Sequence, residues 1–213
     1  MASSEAQNWL DGFKIQDLGL TDKEIIICPP FTLLTDLKAY SLNHKFSVKV
    51  GAQDISPFGE GSYTGEVNGK QLKNFAEFVI VGHSERRKNF SESNEVVNLK
   101  IKKAFEFGLT PIICVSDLEQ VKAFQEIIKE NHNLLVAYEP LFAIGTGTTD
   151  TPENTDQTAK SIKDILSGIP VLYGGSVTSN NINQFSKMPN IDGALIGKAS
   201  LNPTEFLQLI KNA

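Results

Sequence analysis

Short apolar runs alternate with amphipathic stretches along the chain. The runs are EIIICPP (24–30), SVKVGAQ (47–53), FVIVGH (78–83), TPIICVS (110–116), LLVAYEP (134–140), IPVLYGG (169–175) and GALIG (193–197). Most are apolar throughout, as strands are when both faces of a sheet are covered. Between them, SESNEVVNLKIKKAFEFG (91–108), LEQVKAFQEIIKENH (118–132), TPENTDQTAKSIKDILSG (151–168) and NPTEFLQLIKNA (202–213) carry apolar residues at helical spacing. Ser91 with Asn94 and Glu95, and Thr151 with Pro152 and Glu153, supply N-terminal caps, and Gly108 and Gly168 are natural stops. The opening SSEAQNWLDGFK predicts a helix with Ala6, Trp9, Leu10 and Phe13 on one face. This alternation is the signature of βα units around a parallel sheet. With no linker, low-complexity tract or charge block to divide it, the chain reads as one domain over residues 1–213.

Such a pattern admits an open doubly wound sheet or a (β/α) barrel. An open sheet has one switch point, so its chemically loaded strand ends cluster on a few neighbouring strands. Here GAQDIS, GHSERR, YEPLFAIGTG, YGGSV and IGKAS place polar or glycine-rich residues past the C-terminal end of almost every strand. That distribution favours the barrel.

Composition narrows the partners. A net charge of -5 with basic residues scattered among acidic ones argues against nucleic acid or an anionic membrane, and leaves a small soluble ligand. Cys28 and Cys114 sit inside apolar runs and form neither a disulfide framework nor a metal-ligand spacing. The first residues lack the basic and apolar regions of a signal peptide, and no apolar run approaches the roughly 20 residues that span a bilayer. The expectation is a cytoplasmic protein.

Three stretches carry candidate chemistry. His83 leaves a buried strand directly before Ser84, a good cap residue, so its imidazole lies near the positive end of the following helix; that field favours a neutral ring able to donate to a substrate oxygen. Taken alone, the residue fits a structural histidine equally well. YGGSV (173–177) and IGKAS (196–200) are consecutive strand-to-helix turns, where backbone N–H groups and the Ser176 hydroxyl make a concave anion site. Glu139 ends its strand at the same mouth as His83, beside Tyr138, Pro140 and Phe142. Partial desolvation there would raise its pKa towards that of a base able to take a proton from carbon. AIGTGTT after it has the composition of a lid, in which Gly145 could donate its N–H to the same anion. A base, a neutral electrophile, a phosphate cradle and a lid on one face imply proton abstraction beside a carbonyl in a small phosphorylated substrate.

In order along the chain, CPPF, GAQDISPFGEGSYTGEV, VGHSERR, AYEPLFAIGTGTTDTPE, YGGSV and GALIGKASL closely resemble triosephosphate isomerases. The resemblance implies a (β/α)8 TIM barrel that interconverts dihydroxyacetone phosphate and glyceraldehyde 3-phosphate without metal or organic cofactor. It makes His83 the electrophile, Glu139 the base and Glu85 the residue that helps organise the site, and matches Gly145, Ser176, Gly197 and the position of Lys198 to the phosphate-binding backbone. It also implies a homodimer through the loop around Tyr63, Thr64 and Gly65. The pairing of a glutamate base with a neutral histidine in this enzyme is a known pattern.

Four departures qualify this. Family members begin with a strand reading roughly GNWKMN, whose asparagine and lysine enter the active site; here SSEAQNWLDGFK aligns with the helix that follows, so the barrel is expected to lack its first strand. The NW at positions 8 and 9 is a decoy, since Leu10 stands at the lysine position, and neither Asn8 nor Lys14 is assigned a role. Ser116 and Asp117 replace Gly-Glu, Phe142 stands for a lid tryptophan, and Lys198 stands for the second glycine of the last turn. Its backbone N–H can still donate; whether its ammonium stands in for the lost cation stays open. The alternatives to a weak or inactive isomerase are a non-catalytic phosphate-binding barrel and a truncated product needing an upstream strand.

Overall fold

The computed structural model describes residues 3–13, 23–44, 48–143 and 149–213. The predicted alternation is present. Helix α1 (Ser3–Gly12) is followed by β1 (Ile25–Ile27), α2 (Leu34–His44), β2 (Val48–Ala52), α3 (Gly69–Leu72), β3 (Phe78–Val81), α4 (Ser84–Phe90), α5 (Asn94–Glu106) and β4 (Thr110–Val115). Then come α6 (Leu118–Lys129), β5 (Leu135–Tyr138), α7 (Pro152–Ile165), β6 (Val171–Tyr173), α8 (Ile182–Phe185), β7 (Gly193–Ala194) and α9 (Pro203–Asn212). Seven strands lie in the order β1-β2-β3-β4-β5-β6-β7 and pair in parallel throughout. A doubly wound sheet would reverse that order at a switch point. This sheet curls one way, as an incomplete (β/α)8 barrel.

Alternation along each strand sorts two apolar layers. Val79 and Val81, Ile113 and Val115, Val136 and Tyr138, and Val171 and Tyr173 face the helices and join the main core with Val97, Ile101, Phe124, Ile162 and Phe185. Phe78 and Ile80, Ile112 and Cys114, and Ala137 fill the inner layer. Two positions past Ala137, the same alternation turns Glu139 inward.

Among the described residues no strand precedes α1, and neither β1 nor β7 has a second neighbour. The sheet is accordingly open, with a seam between these two edges, as an incomplete barrel has. Ile26, Ile27, Gly193 and Ala194 are only half-buried, whereas the central strands are almost wholly buried. Beside the seam α1 lies against α9. Phe13 stacks on Trp9 at 4.7 Å and on Phe206 at 5.4 Å between ring centres, and the cluster includes Ile25, Val48 and Ile210. The Asn8–Trp9 decoy sits on this helix and not on a strand, with Asn8 exposed and Leu10 buried.

Two local expectations need restating. The cap of α5 is Ser93, whose Oγ accepts the Val96 N–H; Ser91 instead ends α4 in a left-handed conformation with φ 55°. Both serines are cap-forming, and the chain uses the second for the start and the first for the stop. Thr151 caps α7 as expected, with Pro152 in its first turn, and Gly108 and Gly168 take positive φ where their helices stop.

Candidate active site

Gly82 turns the chain from β3 into α4. Its φ is +72°, and a Cβ there would stand 3.0 Å from Val97, so both conformation and space ask for glycine. The turn delivers His83 as the N-cap of α4, its Nδ1 accepting the Glu85 N–H at 3.3 Å. With Nδ1 an acceptor, the ring proton resides on Nε2, which points at Glu139 Oε1 3.0 Å away. The other carboxylate oxygen accepts the Ser84 N–H at 3.0 Å. Glu139 is 2 % exposed and His83 about a quarter, so the pair sits at the floor of the mouth with the imidazole towards solvent.

Burial opposes charging the His83 ring, but the hydrogen bond and charge of Glu139, helped by Glu85, outweigh it and move its pKa up. The neutral ring expected from the helix end therefore holds only in part. While Glu139 is docked the ring is drawn towards the cation. Once the carboxylate moves away, burial and the Glu85 N–H both favour the neutral form. The Glu85 carboxylate is exposed, 3.9 Å from Nδ1, and the contact that orients the ring comes from its backbone.

Sequence reasoning missed three neighbours of the acid. The Ser84 N–H is one. Cys114 is the second: burial pushes its thiol well above the ordinary range, and the charge of Glu139 and a hydrogen bond to it add to the shift. Its place at the C-terminal half of β4 on the inner face was the available signal. Gly174 is the third, since a Cβ there would lie 2.8 Å from Glu139 Cγ. The YGGSV turn is thus packed directly on the acid.

That turn also holds both ends of the expected lid. The Ser176 hydroxyl donates to the Ala143 carbonyl at 2.6 Å, and the Asp150 N–H donates to the Tyr173 hydroxyl at 3.0 Å. The Ser176 Oγ proton is thereby committed to the lid, while the N–H groups of Gly175, Ser176 and Gly197 have no acceptor among the described residues. Gly145 lies outside the described residues. The last two turns are neighbours: the Leu195 N–H donates to the Tyr173 carbonyl at 2.9 Å, and a Cβ on Gly197 would meet nothing within 4 Å. Lys198, on the same turn, is exposed. Asp117, at an altered position, caps α6 by accepting the Gln120 N–H at 2.8 Å.

Away from this floor, Phe58 and Tyr63 stack at 4.3 Å on the loop after β2, and both are more than two-fifths exposed. The root of that loop is tied down by charge. Lys100, 3 % exposed, bonds Asp54 at 2.6 Å and also Glu92, and Arg86 bonds the same two carboxylates at 2.9 and 2.6 Å.

An incomplete parallel βα barrel with an acid–imidazole pair at the strand ends, and beside it backbone N–H groups that have no acceptor among the described residues, is the arrangement of a proton-transferring enzyme of the barrel class. The comparisons with known proteins are specific. A profile of triosephosphate isomerase matches residues 1–213. Triosephosphate isomerase of Dictyoglomus turgidum is 40 % identical, covering 98 % of this chain and 94 % of the relative. Those of Dictyoglomus thermophilum (39 %, over 98 % and 94 %) and Trichodesmium erythraeum (38 %, over 97 % and 92 %) are similar to the same extent. The chain belongs to the triosephosphate isomerase family.

Proposed function

We propose that this chain is a triose-phosphate isomerase, interconverting dihydroxyacetone phosphate and glyceraldehyde 3-phosphate through an enediolate. The observation that carries the reading is the Glu139–His83 contact of 3.0 Å at the ends of β5 and β3, walled by the YGGSV turn. In this mechanism the substrate draws Glu139 off the Ser84 N–H. The carboxylate takes a proton from the carbon beside the carbonyl, while His83 donates the Nε2 proton to the carbonyl oxygen. Electrons from the C–H bond form the enediol double bond, and Glu139 then returns its proton to the adjacent carbon as the second oxygen gives one up to His83. Glu85 keeps the ring oriented. The N–H groups of Gly145, Ser176, Gly197 and Lys198 receive the phosphate, and the segment between Ala143 and Asp150 covers the intermediate.

The same reading takes residues 1–213 as one domain acting in the cytoplasm, in glycolysis and gluconeogenesis. No described helix is long and apolar enough to cross a membrane, and no described His, Cys, Asp and Glu cluster could hold a metal. A homodimer through Tyr63, Thr64 and Gly65 is supported by the exposed Phe58–Tyr63 stack.

The deciding experiment is Glu139→Gln. It is expected to lower turnover by about 10²–10⁴-fold, the range of a lost general base, while a phosphorylated enediolate mimic still binds. Unchanged turnover in that variant removes the assignment.

A further inference from the structure

The mouth that would receive a phosphate dianion is itself acidic: Glu85, Asp117, Glu139 and Asp150 all follow the ends of β3, β4 and β5. In the segment after each strand and the first turn of the helix it enters, the lysines and arginines of the described residues are Lys70, Arg86, Arg87 and Lys198. Three are committed. Lys70 pairs with Glu60 at 2.8 Å. Arg86 is held by Asp54 and Glu92, and Arg87 donates to the Gly82 carbonyl and to Asn94, both at 2.9 Å. Lys198 is exposed and has no ion pair among the described residues.

Its position is nevertheless fixed. The Ser200 N–H and Oγ both donate to the Gly197 carbonyl, at 3.0 and 2.7 Å, and the Trp9 indole N–H donates to the Ser200 carbonyl at 2.8 Å. The 3-10 turn Lys198–Leu201 is thus anchored to α1, beside the YGGSV turn, whose Gly175 and Ser176 N–H groups have no acceptor among the described residues.

We propose that the Lys198 ammonium is the counter-charge for the substrate's phosphate group. The inference rests on the phosphorylated-triose reading and deepens it, since that reading uses only the backbone N–H of Lys198. A lysine acting on the phosphate, remote from the reacting carbons, stabilises ground and transition states alike and so governs KM more than kcat.

The test compares the intact chain with Lys198→Gln and Lys198→Arg in two assays: binding of inorganic phosphate by calorimetry, and steady-state kinetics on the triose phosphate. Lys198→Gln is expected to weaken phosphate binding and raise KM about tenfold, the worth of one charge-assisted contact, with kcat falling less than KM rises, and Lys198→Arg to recover most of both. Equal phosphate affinity in the intact chain and Lys198→Gln overturns the proposal. So does the absence of phosphate binding to the intact chain, or a Lys198→Gln defect that arginine does not recover. Phosphate binding that depends on Lys198 in a chain without isomerase turnover upholds it while removing the functional reading.

Discussion

Replacing Lys100 by methionine keeps the length of the side chain and deletes its charge at a place where charge matters. In the native arrangement two cations, Lys100 and Arg86, face two carboxylates, Asp54 and Glu92, whose side chains are 14 % and 6 % exposed. One Glu92 oxygen already lacks a partner among the described residues. After the substitution Arg86 alone faces both acids, and one buried negative charge is uncompensated. Breaking a buried pair from one side costs about 3–5 kcal/mol, which in a chain of this length lowers Tm by about 10 °C. Urea unfolding followed by circular dichroism reads the loss as a drop in midpoint at unchanged slope. The control is Lys129→Met, which breaks an exposed pair with Glu126, 57 % and 83 % exposed, and should change stability by less than about 1 kcal/mol. Equal effects of the two substitutions would refute the claim that burial decides the value of these pairs. Because the cluster joins Asp54 after β2 to α4 and α5, Lys100→Met should also raise the amide exchange of the loop carrying Phe58 and Tyr63.

Other expectations follow from the floor of the site. His83, followed by NMR, should titrate above its ordinary value of 6.5, and Glu139→Gln should bring the midpoint down. Because the folded value is raised, the native state binds the extra proton: that stabilisation is complete below pH 6.5 and is lost as pH rises through the raised midpoint, a loss Glu139→Gln should diminish. Gly174→Ala pushes a Cβ to 2.8 Å from Glu139 Cγ and should depress kcat by more than about tenfold, measured by coupled assay, with phosphate affinity kept. Gly82→Ala places a Cβ at φ +72° against Val97 and should cost about 1–3 kcal/mol in urea unfolding.

The strands were legible because their apolar content exceeds what one buried face requires, and a parallel sheet with helices outside is the arrangement that covers both. Their ends were drawn too long, since residues such as Gly82 and His83 already turn out of the ladder. Helices α2 and α4 were not marked as segments: SERRKNF has too few apolar residues to show a period, and its start is specified by the cap at His83 instead. The swap of roles between Ser91 and Ser93 turns on one backbone φ, which composition does not encode. Among site residues, side-chain type pointed to His83 and Glu139, but their direct contact depends on the curl of the sheet. Ser84 and Gly174 act through an N–H and through the lack of a Cβ, features any residue name hides until neighbours are known.

The α1–α9 contact has a thermodynamic consequence. Elsewhere, each strand is stitched to the one made just before it, so contacts form over short stretches of chain and close cheaply in entropy. Head and tail meet through the ring stack of Trp9, Phe13 and Phe206 and the indole bond to Ser200, 191 positions apart. That long-range fastening is expected to engage after the strands have paired and, on warming, to release the Lys198 turn before the central strands melt, an order that hydrogen exchange checks.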